Sequence, residues 1–115
     1  MRFLMYKLDD ESVPIPQLNP EQQAAMSKVA EEATKAGVLV LNAGIAPTSM
    51  GAKVTRTNGE FTVTDGPFTE AKELVGGWGL LEARDLEEAV EWAKRFQDCA
   101  GDGEMRVRQV YGAGG

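Results

Sequence analysis

The sequence predicts one α+β domain of split βαβ order, a ferredoxin-like βαββαβ with an inserted β-hairpin, its antiparallel sheet carrying both helices on one face. Three observations predict it. Helix-start signals at Asn19 and Asp85 each lie between runs of strand-forming residues. Asn58-Gly59 stands between two alternating runs, the strongest short hairpin signal. The 115 residues suit a single domain, which buries roughly two thirds of the surface its unfolded chain exposes.

Each element has its own warrant. Residues 2–8, "RFLMYKL", read as a first strand, and "DDESVPIPQL" as a loop with two prolines and three acids. Asn19 caps the first helix, Pro20 suits its first turn and Gln22 occupies the capping-box position. Met26, Val29, Ala30 and Ala33 form its apolar stripe, and Gly37 ends it as a left-handed glycine. "VLVLNAGIA", residues 38–46, starts as the second strand. The hairpin strands fall near 52–57 and 60–64, before a turn at Asp65-Gly66-Pro67. "VGGWGLLEA", residues 75–83, is a further strand. Asp85 caps the second helix with Glu88 completing a capping box, and Leu86, Ala89, Val90, Ala93 and Phe96 form its buried stripe. "EMRVRQVY", residues 104–111, is the last strand, and residues 112–115 are expected to be a flexible tail.

Composition excludes several function classes. Twelve basic against 18 acidic residues give a net charge of −6, which disfavours nucleic acid. No apolar run approaches the roughly 18 residues of a membrane span, and the N-terminus lacks a signal-peptide pattern. Cys99 is the single cysteine, so the cytoplasm is the expected compartment and Cys99 reads as a small buried hydrophobe. The chain has no histidine, which removes Ser-His and Cys-His nucleophile pairs and His-containing zinc sites. The Gly-x-Gly-x-x-Gly and Walker patterns are both missing, so no cofactor is expected.

The sheet poses a covering problem. In the first strand Phe3 and Met5 point one way, while Leu4, Tyr6 and Leu8 point the other; in the second, Val38 and Val40 oppose Leu39 and Leu41. Both faces read as apolar, and two helices cover only one. Four to six large apolar side chains at about 1.5–3 kcal/mol each rival the stability of a whole domain. A second copy of the sheet is the simplest cover, which predicts a homodimer. Trp78, Leu80 and Glu82 share one face of their strand, and Gly79, Leu81 and Ala83 the other. By elimination Glu82, Arg106 and Arg108 face the space between subunits, either as a structural ion-pair network or as a cleft for an anion.

The densest cluster of chemistry is "TDGPFTEAKELVGGW", residues 64–78. Asp65 either bonds the backbone of the Gly66-Pro67-Phe68 turn, binds a ligand, or acts as a general acid or base. Glu70, Lys72 and Glu73 form a solvated turn, or Glu70 and Lys72 close a cleft. Metal ligation by Asp65, Glu70 and Glu73 matches no known loop, and no metal is expected. Gly76 and Gly77 mark a bulge or a close approach, and Trp78 packs in the core or lines a pocket.

The run "DGPFTEAKELVGGW" resembles the signature of the YCII-related family, in its DGPF subgroup. "MRFLMYKL", the helix closing on "AGV", the Asn-Gly hairpin and "DLEEAVEWA" agree with it, so the resemblance covers residues 1–111 as a single domain. It implies a dimeric α/β barrel of ferredoxin-like subunits. Some relatives carry a His–Asp pair proposed as catalytic. Asp65 matches that aspartate, but the histidine has no counterpart, so the mechanism does not transfer and another proton carrier (Glu70, Glu73, Lys72 or Tyr6) would be needed. Three functions follow as expectations: binding of a small, anionic organic ligand at the dimer; cofactor-free proton transfer, isomerisation or elimination; or a protein-interaction module linked to transcription.

Overall fold

The computed structural model describes residues 1–15, 17–68 and 74–112. Its elements run β1 (Arg2–Asp9), α1 (Pro20–Lys35), β2 (Leu39–Gly44), β3 (Ala52–Thr57), β4 (Glu60–Asp65), β5 (Leu74–Glu82), α2 (Leu86–Ala100) and β6 (Met105–Gln109), with a 3-10 turn at Thr48–Met50. Four strands form one antiparallel sheet in the order β2-β5-β1-β6, and β3-β4 form a separate two-stranded ribbon. The fold is the expected ferredoxin-like α+β arrangement with an inserted hairpin. The expected flexible tail falls largely on residues 113–115, outside the described residues.

Local chemistry sets the helix ends. The Asn19 side chain accepts from the Gln22 N–H at 2.8 Å while Gln22 Oε1 accepts from the Asn19 N–H at 2.9 Å, a closed capping box. At the other end of α1, Gly37 has φ +73°, and the Val38 and Gly37 N–H groups return to the Ala33 and Thr34 carbonyls, a Schellman close. The box at α2 is only half formed. Asp85 accepts from the Glu88 N–H at 2.9 Å, but the Glu88 carboxylate turns to Arg84, taking its N–H at 3.4 Å and its Nε at 2.9 Å. A neighbouring cation outcompetes the neutral N-cap amide for the carboxylate.

The core lies between the helices and one sheet face. Phe3 and Met5 of β1 and Leu81 of β5 meet Val29 and Ala33 of α1 and Ala89, Ala93 and Phe96 of α2. Cys99 is partly buried against this cluster, its thiol donating to the Arg95 carbonyl at 3.4 Å. An ion pair from Arg95 to Glu32 ties α2 to α1, and Arg95 also stacks 4.8 Å from the Trp92 ring centroid.

The opposite face carries two rows. Leu41, Leu80, Leu4 and Arg108 stand abreast across β2, β5, β1 and β6; Ala43, Trp78, Tyr6 and Arg106 form the next row. None of the eight belongs to the core cluster. Strand β2 departs from strict alternation. Its pairing with β5 skips Val40, a bulge that sends both Val38 and Leu39 into the core and leaves Val40 and Leu41 exposed. The two-sided burial read from "VLVL" is thereby corrected.

Candidate functional site

The site begins where three distant segments are knitted together below the sheet. The Glu11 carboxylate accepts from the Thr48 N–H at 2.9 Å through one oxygen and from the Thr48 hydroxyl at 2.5 Å through the other. The same hydroxyl oxygen accepts the Phe68 N–H at 3.0 Å. Gly66 donates to the Gly51 carbonyl at 2.9 Å, and the Gly66-Pro67 peptide is cis. A Cβ at Gly66 would stand 1.6 Å from the Thr48 carbonyl oxygen, so only glycine lets this turn seat. Gly66, Pro67 and Phe68 thus form a docked corner.

The glycine pair has a similar cause. The register of β1 against β5 passes from Lys7–Gly77 to Leu8–Val75, leaving Gly76 as the extra residue of a bulge. An added Cβ at Gly76 would meet Asp9 Oδ2 at 1.7 Å. The Asp9 carboxylate lies over the bulge, and its other oxygen pairs with Lys7 Nζ at 3.2 Å.

Between these features is a cleft of about 470 Å3. Ile15, Leu18, Ile45, Phe68, Leu74 and Val75 give it apolar walls, and Asp9, Glu11 and Thr48 its polar groups. Both Glu11 oxygens are engaged by Thr48, whereas Asp9 keeps one oxygen clear of its lysine and has a side chain only 16% exposed. Such a cleft can enclose a small ring or chain and fix it by a hydrogen bond to a carboxylate. Sequence reasoning read "DDESVPIPQL" as a loop with three acids and assigned no role to Asp9 or Glu11. The signal was the glycine at 76, which demands a close neighbour but does not say which.

The sequence-predicted residues sit as follows. Asp65 ends β4, opposite Ala52, exposed and outside the cleft. Trp78 lies between Ala43 and Tyr6 on the open sheet face, with Arg106 beyond Tyr6. Arg108 is in the neighbouring row opposite Leu4, and Arg106 Nε contacts Glu104 at 2.6 Å. Glu82 binds the N-terminal ammonium at 3.2 Å and Arg2 Nε at 2.5 Å. The ammonium hydrogen bond first, and Arg2 after it, hold the Glu82 carboxyl below its ordinary range despite some desolvation. Glu70, Lys72 and Glu73 lie outside the described residues. Among the described residues no cluster of three acids or cysteines could hold a metal, and no helix is long and apolar enough to cross a membrane.

A family model described as the YCII-related domain matches residues 1–112. No curated protein sequence matches the chain. Among solved structures, the chain is similar to 5-chloro-2-hydroxyhydroquinone dehydrochlorinase of Burkholderia phenoliruptrix, determined in complex with 2,5-dihydroxybenzoquinone. Identity is 15%, coverage 96% of this chain and 93% of that one, and the TM-score 0.47.

Proposed function

The chain belongs to the YCII-related domain family, and from that premise we propose that it is a homodimer binding a small organic molecule in the cleft beside the Gly66–Phe68 corner. One observation carries the reading: a cleft of about 470 Å3 with apolar walls and a single shielded carboxylate, Asp9, still able to accept a hydrogen bond. Asp9 orients a ligand hydroxyl or amine. Among the described residues the charged groups lining the cleft are the carboxylates Asp9 and Glu11, which favour a neutral or cationic ligand; the anion preference suggested by Arg106 and Arg108 belongs to the open sheet face. Pairing of two copies rests on that face, where Leu41 is exposed and Leu4, Leu80 and Trp78 are only half-buried and lie outside the core cluster.

A second reading is favoured by the same shielding. A carboxylate at the end of an apolar cleft suits cofactor-free proton transfer, with Asp9 rather than the exposed Asp65 as the proton carrier. Thermal-shift titration with a panel of small phenols, amines and carboxylates tests the binding site. Phenols or amines should stabilise the wild type, and Asp9→Asn should weaken them by about tenfold or more, as loss of a charged hydrogen bond does. Carboxylates that bind through Arg106, lost in Arg106→Met and unaffected by Asp9→Asn, would move the site to the sheet face.

A further inference from the structure

The β3-β4 ribbon stands away from the body as an arm. Every residue of both strands is exposed. The register sorts its side chains: Ala52, Val54 and Arg56 share a face with Asp65, Val63 and Phe61, while Lys53, Thr55 and Thr57 share the other with Thr64, Thr62 and Glu60. The first face is therefore an apolar stripe and the second a polar threonine ladder. Val54, Phe61 and Val63 are 64%, 68% and 64% exposed. A lone two-stranded ribbon is marginal in water, and an apolar stripe on one calls for a cover.

We propose that the cover is the same arm of a second copy, packed stripe to stripe with the two arms antiparallel. Charge order along the stripe selects this. Asp65 lies at the base of the arm and Arg56 near its tip, with the Val54–Val63 pair between them. Among the described residues neither Arg56 nor Asp65 makes an ion pair. A two-fold axis across the middle of the stripe lays each tip over the other base, so Arg56 of one copy comes over Ala52 and Asp65 of the second copy, twice. The small side chain of Ala52 leaves room for the guanidinium. A parallel arrangement would instead gather both Arg56 side chains at one end of the contact, over Phe61, and both Asp65 side chains at the other, over Ala52, with no opposite charge within reach of either pair. The stripe is self-complementary in shape and sign, as an isologous contact must be.

The apolar area is on the order of 300 Å2 per arm, so two arms bury less than a stable interface needs by themselves. The contact therefore adds to the sheet-face pairing proposed above and rests on it. It also gives Asp65 a task at the subunit boundary that requires no histidine.

Sedimentation velocity across a dilution series tests this with four variants. Arg56→Glu and Asp65→Arg should each weaken self-association about tenfold or more, and the double variant should return it to within about threefold of wild type. Leu80→Lys, on the sheet face, should abolish association whatever the arms do. Single reversals that associate like wild type, or a double variant no better than the singles, would overturn the arm contact while a monomeric Leu80→Lys variant left the sheet-face pairing standing. A Leu80→Lys variant that associates like wild type would overturn the sheet-face pairing and, with it, an arm contact that rests on it. A wild-type particle that stays monomeric at micromolar protein would remove both. All three positions lie outside the core cluster, and circular dichroism confirms that each variant is folded.

Discussion

An added methyl group at Gly66 would stand 1.6 Å from the Thr48 carbonyl oxygen, and the nearest backbone on that side cannot yield. Gly66→Ala should therefore cost about 2–3 kcal/mol in urea denaturation, an overpacking penalty. Gly37→Ala should cost only about 1 kcal/mol, because nothing lies near its added methyl and the penalty is the left-handed backbone alone. Thr48→Val removes one donor from Glu11 and the acceptor of the Phe68 N–H; about 1–3 kcal/mol should be lost. Glu82 sets an acid dependence. Its carboxyl titrates lower in the folded chain than its ordinary value of 4.5, so its contribution is full above that range and lost as pH falls through the lowered value. The melting temperature of Glu82→Gln should lie below that of wild type at pH 7, and the gap should close in strong acid. A gap that persists unchanged there would mean the pair contributes nothing through its charge.

The elements were legible where the cause is local. Asn19, Pro20 and Gln22 announce a helix start that depends on atoms a few residues apart, and the closed box is there. Asn58 and Gly59 adopt φ +51° and +81°, the left-handed pair a tight hairpin requires. Legibility failed where a distant partner decides. The bulge at Val40 is fixed by the register of β5, and the Glu88 carboxylate was drawn off by Arg84. Asp9 and Glu11 read only as acids of a loop because their partners, Gly76 and Thr48, enter from remote parts of the chain. At this scale Asn19→Ala should lower stability by about 1 kcal/mol and fray the first turn of α1, seen as faster amide exchange at the Gln22 and Gln23 N–H groups.

The whole molecule measures 46 × 35 × 18 Å with a radius of gyration of 16.0 Å, against about 13 Å for a compact chain of this length. No residue of the arm enters the core. Joining Gly51 directly to Gly66, which already share a backbone hydrogen bond, should remove the arm and leave cooperative unfolding of the four-stranded sheet intact. Loss of cooperativity would show the arm to be part of the folding unit. One side chain ties these scales together. Thr48 belongs both to the wall of the cleft and to the strap that holds the root of the arm. The arm cannot swing as a free lever: any rotation of its root drags Thr48, and with it the mouth through which a guest must pass.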